Sequence, residues 1–153
     1  MTRSRRHLAA NAWGSVLRVH ARLVPLMDAR LRARYGLSLA SYDVLLELQA
    51  VPDGRLTMSD LGNRVVLSRT RVSRVVDDMA RSALVARETN PDDKRSAFAT
   101  ITPAGRAAFR AAAPTYLRLI EKHVALDLSD DELVHVAELL ERIATAPVAD
   151  DGR

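Results

Sequence analysis

Cysteine is absent from the 153 residues, which excludes disulfide frameworks, thiolate-held zinc or iron–sulfur sites, cysteine nucleophiles and thiol redox switches. A reducing compartment, the cytoplasm, is the expected location. Aromatic residues are scarce at 4%, and no apolar run approaches the ~18–20 residues of a spanning helix, so no membrane association is expected. The run Ser4-Arg5-Arg6-His7-Leu8 has the twin arginines of an export signal, but Asn11, Arg18 and Arg22 interrupt the next stretch of chain and no apolar segment forms. Gly-rich phosphate loops, nucleophile elbows and zincin motifs are missing. Asp77-Asp78 and Asp130-Asp131 are chain neighbours that a helix aims apart. His7, His20, His123 and His135 lack metal-ligand spacing beyond His135 with Glu138. The expectation is therefore no enzyme, no cofactor and no metal.

What is present is an ordinary folded composition, 48% hydrophobic and 27% charged, in a length that fits one domain with packing arms. Its net charge of +4 is unevenly spread. Residues 1–34 hold eight basic and one acidic residue and residues 55–110 eleven and six, whereas residues 111–153 hold four and nine. A basic first two-thirds with an acidic end suits a protein that presents one surface to a polyanion. Arginine outnumbers lysine so heavily, with only Lys94 and Lys122 present, that coding bias is a competing account.

Periodicity supplies the elements. Trp13, Leu17, His20, Val24, Met27 and Leu31 recur in steps of four and three, a heptad-like stripe on a long helix over 8–35 that Pro25 should kink or break and Gly36 should stop. Ser38 caps a helix over 39–50 with Tyr42, Leu45, Leu46 and Leu48, or neighbours of these, toward the core. After the turn Val51-Pro52-Asp53-Gly54, Thr57 with Asp60 opens a short helix over 58–65, and Ser68 opens another over 69–82. Two short capped helices at this separation match a helix-turn-helix. Residues 84–88 and 96–101 read as strands of a hairpin with a charged tip. Thr102-Pro103 starts a helix carrying Phe109, Tyr116, Leu119, Ile120 and His123, with a kink expected at Pro114. Ser129 with Glu132 is a capping box for a last helix whose apolar face is Leu133, Val136, Ala137, Leu140 and Ile143.

The helix over 69–82 carries the chemistry. Val72, Val75, Val76 and Met79 form its packing face, leaving Arg69, Thr70, Arg71, Ser73 and Arg74 in the first half and Asp77 and Asp78 in the second. Helix dipoles favour the opposite charge order at both ends, so helix stability does not explain the pattern. Guanidinium and hydroxyl groups there reach phosphates and the guanine acceptors of the major groove. The bland alternative is a solvated face with an Arg74–Asp78 pair. At the hairpin tip, Lys94 and Arg95 offer cations to an adjacent minor groove, with Asp93 placed to hold Arg95.

Taken together, the run Leu67-Ser68-Arg69-Thr70-Arg71-Val72-Ser73-Arg74-Val75-Val76, then Leu84-Val85-Ala86-Arg87, Asp92-Asp93-Lys94-Arg95 and Ile101-Thr102-Pro103-Ala104-Gly105 resembles the MarR family of winged-helix transcriptional regulators. The resemblance implies a mainly α fold with a small β-hairpin wing. It divides the chain into an N-terminal dimerisation helix (1–36), a winged helix-turn-helix core (37–102), C-terminal dimerisation helices (103–146) and a frayed tail (147–153). It implies a homodimer that binds a pseudo-palindromic double-stranded DNA operator, commonly as a repressor released by a small aromatic or phenolic effector. Ser68, Thr70, Arg71 and Arg74 match the family's recognition-helix contacts, and Asp93 and Arg95 its wing. Ala83 departs from the glycine usual after that helix, at a cost of ~1 kcal/mol if the position is left-handed. For the effector pocket, Trp13, His20 and Tyr42 are the candidates, the plainer role being core packing for Trp13 and Tyr42 and a satisfied buried histidine or an interface residue for His20. The competing functional reading is a winged-helix interaction module or antirepressor without specific DNA binding.

Overall fold

The computed structural model describes residues 4–65, 67–93 and 96–147, with Arg69 placed by its backbone alone. The elements are α1 (Arg5–Tyr35), α2 (Leu39–Gln49), β1 (Arg55–Thr57), α3 (Met58–Arg64), α4 (Arg69–Arg81), β2 (Val85–Thr89), β3 (Ala97–Ile101), α5 (Pro103–Ile120), a π-helical turn (Glu121–Ala125) and α6 (Asp130–Ala144). They divide into two compact units, Met1–Tyr116 and Leu117–Arg153.

In the first unit the capping residues set the element starts. Ser38 accepts from the Ser41 N–H at 3.0 Å, Thr57 from the Asp60 N–H at 3.0 Å and Thr102 from the Gly105 N–H at 3.0 Å, each satisfying a first-turn donor. Gly36 ends α1 at φ 64°. The helix is continuous through Pro25, and α5 through Pro114, so neither proline breaks its helix. Around the central α2 the core gathers Leu31, Leu37, Tyr42, Val44, Leu45, Leu48, Leu61, Val72, Val76, Met79, Val85, Ile101 and Ala112. Leu46, expected to face inward, is 38% exposed. It lies about 100° around the helix from Leu45, and Val44 is buried in its stead.

The strands form one antiparallel sheet of order β1-β3-β2, with Leu56 opposite Ala99 and Val85 opposite Ile101. β1 carries no sequence signal, because three residues are too few to display alternation. α4 ends in a Schellman motif: the Leu84 N–H reaches the Met79 carbonyl at 2.9 Å and the Ala83 N–H the Ala80 carbonyl at 3.0 Å, with Ala83 left-handed at φ 56°. The α4–β2 connection is then held by the Thr102 hydroxyl, which donates toward the carbonyls of Ala83 (2.7 Å) and Leu84 (3.0 Å).

In the second unit the Ser129–Glu132 capping box is complete. Val134, Val136, Leu139, Leu140 and Ile143 of α6 are exposed within the single chain. No helix among the described residues is long and apolar enough to cross a membrane.

Candidate functional site

Burial of Val72, Val76 and Met79 fixes the rotation of α4 and turns Thr70, Arg71 and Arg74 outward in its first half. Ser68 caps the helix, its hydroxyl 3.4 Å from the Arg71 N–H. Arg74 makes no hydrogen bond or ion pair among the described residues. The acidic second half is answered locally. Asp78 pairs with Arg81 on the same helix, and Asp77 pairs with Arg87 of β2, whose guanidinium also lies 3.4 Å from the Ser73 hydroxyl. The Arg74–Asp78 pair of the bland alternative does not form. Intrachain partners therefore neutralise the acids of α4, and among its described first-half cations Arg71 and Arg74 remain available to an external anion.

Beside α4 stands the β2–β3 hairpin. At its tip the Asn90 side chain accepts from the Asp92 N–H at 3.0 Å, and the Asp93 carbonyl accepts from the Ser96 N–H at 2.8 Å. Lys94, Arg95 and the Arg69 side chain lie outside the described atoms. The Arg87–Asp77 pair joins this hairpin to α4. Both partners are well exposed, so the pair contributes at most ~1 kcal/mol to stability, and its role is to orient.

A cavity of about 440 Å³ opens on the other side of α4, walled by α1 (His20, Val24, Pro25, Met27, Asp28, Arg32), α2 (Leu39, Ala40, Asp43), Leu67 ahead of α4, Arg71 in its first turn, and Tyr116 of α5. Of the three effector candidates, His20 lines it. Tyr42 is buried behind the wall, stacked on Phe109 (5.3 Å) and tilted against Tyr116 (4.5 Å). Trp13 stands 60% exposed on the first half of α1, away from the cavity.

Sequence reasoning singles out Arg71 for another role and misses Asp28, Arg32 and Asp43 of this wall. Asp28 accepts from Arg32 Nε (2.7 Å) and from the Leu39 N–H (2.9 Å). Burial alone would raise its pKa, but these two bonds and the charges of Arg32 and Arg71 outweigh that and hold it below the usual carboxylate value. Asp43 has the opposite environment. Burial first, and Glu47 second, push its carboxyl upward. Burial likewise raises Tyr116, with Asp43 adding to the shift, and lifts Tyr42 to about 12. The i,i+4 spacing of Asp28 and Arg32 is a legible signal. Asp43 gives none, since an acid four residues into an apolar helix reads as solvent-facing. No cluster suited to a metal occurs among the described residues.

Comparison with known proteins converges on one group. Residues 35–96 match the MarR family model. The helix-turn-helix-type transcriptional regulator MhqR of Bacillus subtilis is 27% identical over 110 residues, covering 72% of this chain and 74% of that protein. The crystal structure of AbsC, a MarR family transcriptional regulator from Streptomyces coelicolor, is 26% identical and superposes with a TM-score of 0.79 over 94% of this chain and 95% of that one. In fold alone, Sco3205 from the same organism, solved in complex with DNA, superposes at 0.84 with 24% identity over 100% and 96%.

Proposed function

The chain belongs to the MarR family of winged-helix transcriptional regulators, and from that premise we propose that it is a ligand-responsive repressor acting as a homodimer on a pseudo-palindromic operator. It is a DNA-binding regulator. The observation that carries the reading is the uncompensated basic first half of α4, with Thr70, Arg71 and Arg74 exposed and the acids beyond them paired within the chain. In this reading Ser68, Arg69, Thr70, Arg71, Ser73 and Arg74 enter the major groove, and Asp93, Lys94 and Arg95 place the wing at the neighbouring minor groove. The homodimer is supported by apolar surface in each unit, Leu8, Trp13, Val16, Leu17 and Val19 of α1 and the exposed residues of α6, which a single chain leaves in water. Two α4 helices about one DNA turn apart, roughly 34–36 Å, would read a palindrome. The cavity of about 440 Å³ against α4 is the effector site of this reading, and its size suits a small aromatic molecule.

The test is fluorescence anisotropy on duplexes tiling the intergenic region beside the coding sequence, at low and near-physiological salt with random DNA as competitor. Binding to one palindromic fragment that survives competition supports the repressor. Weak, sequence-blind binding erased by salt overturns it in favour of a protein-interaction module.

A further inference from the structure

We propose that the cavity against α4 takes an amphoteric aromatic ligand, with an anionic group received by Arg71 and a cationic or N–H donor group received by Asp43. The proposal rests on the reading of this cavity as the effector site and names the chemistry that fills it. Four side chains of Asp, Glu, Lys or Arg line the wall: Asp28, Arg32, Asp43 and Arg71. Two of them satisfy each other, since Arg32 Nε donates to one Asp28 oxygen while the Leu39 N–H donates to the other. The remaining two are a cation and an anion, and neither side chain has a hydrogen bond or ion pair among the described residues.

Nor do they answer one another. The charge of Arg71 acts at Asp28, whereas the charge acting on Asp43 is that of Glu47, which has the same sign. Asp43 instead neighbours the Tyr116 phenol, which likewise has no hydrogen bond among the described residues. The cavity thus has a basic place at the start of α4 and an acidic place beside Tyr116, with Val24, Met27 and Leu67 supplying apolar wall. A simple aromatic acid would satisfy Arg71 but leave the half-buried Asp43 carboxyl without a partner. A molecule with both groups satisfies both places, and the unpaired acid becomes the element that rejects the simple acid.

Isothermal titration of the full-length protein at pH 7 with 4-(aminomethyl)benzoate, benzoate and benzylamine tests this. The first is expected to bind at least about tenfold more tightly than either of the others, a factor typical of one added charge-assisted hydrogen bond. In Asp43→Asn its affinity should fall to that of benzoate while benzoate itself binds no worse, and Arg71→Gln should remove benzoate binding. Asp43→Glu, which keeps the charge, should restore the discrimination, and far-UV circular dichroism checks that each variant folds. Benzoate binding as tightly as the amphoteric probe, an unchanged preference in Asp43→Asn, or no binding of any probe overturns the proposal. Operator anisotropy on the parent protein and on Asp43→Asn separates the two readings. Specific DNA binding without probe selectivity sinks the ligand assignment alone, and probe selectivity without specific DNA binding sinks the repressor alone.

Discussion

Two carboxylates of one wall respond oppositely to pH. Asp28 is held low, so its contribution to stability is present above its unfolded value of 3.8 and is lost as pH falls through its lower folded value. Asp28→Asn should therefore lower the urea midpoint at pH 7, and the gap to the parent should close as pH falls below about 3.8. Asp43 is raised in the folded chain, so the folded state binds its proton more tightly and stability declines as pH rises from 3.8 through the folded value. Asp43→Asn should raise the midpoint at pH 7, with the gain disappearing in acid; a loss at pH 7 would mean that the carboxylate has a stabilising partner. Two small residues, one after α4 and one in the first turn of α5, carry backbone demands. Ala83 holds φ 56° with a Cβ, so Ala83→Gly should add up to ~1 kcal/mol, roughly 2–4 °C in a chain of this size by calorimetry. A Cβ on Gly105 would stand 2.1 Å from the Leu84 carbonyl oxygen, which leaves no space for it. Gly105→Ala should cost ~1–3 kcal/mol in the same assay.

At the scale of elements, sequence reading succeeds wherever a side chain both caps and announces a helix. Ser38, Thr57, Ser68, Thr102 and Ser129 all stand at the starts expected of them, because a hydroxyl that satisfies a first-turn donor acts locally. Reading falls short where tertiary context decides. The three residues of β1 become a strand through pairing with β3, and the rotation of α2 that buries Val44 and exposes Leu46 depends on the elements around it. The basic half of α4 is legible, but the partners of its acids are not: Arg87 comes from β2, ten residues along the chain from Asp77. That pair gives α4 a testable division. Arg71→Ala should relax base preference by ~1–3 kcal/mol, seen as a narrowed gap between operator and random duplex. Arg87→Gln should weaken operator binding chiefly by loosening the hairpin against α4. The combined Asp77→Asn, Arg87→Gln chain should then lose little more than either alone, and fully additive losses would show that the two side chains act separately.

For the whole molecule the largest uncompensated cost is hydrophobic: α1 exposes Trp13 at 60% and Leu17 at 49%, and α6 exposes Val134 at 58% and Ile143 at 67%. Each apolar side chain removed from water contributes on the order of 1.5–3 kcal/mol, so two such helices supply ample drive for association. The heptad-like stripe of α1 thus serves two purposes along its length. In its second half Met27 and Leu31 are buried in the first unit, while Trp13 and Leu17 of its first half have no cover within the chain. Placing a charge on an uncovered stripe should separate copies without disturbing the core. Leu17→Glu and Leu140→Glu are each expected to shift the mass by light scattering from dimer to monomer while the helical circular dichroism persists. Joining two DNA-binding faces makes the second contact intramolecular, so a monomer should bind the palindrome at least tenfold more weakly. It should also bind with about half the dependence on salt, because half as many phosphates are neutralised. Monomers that retain the parent affinity and salt slope would show that one winged helix alone accounts for recognition.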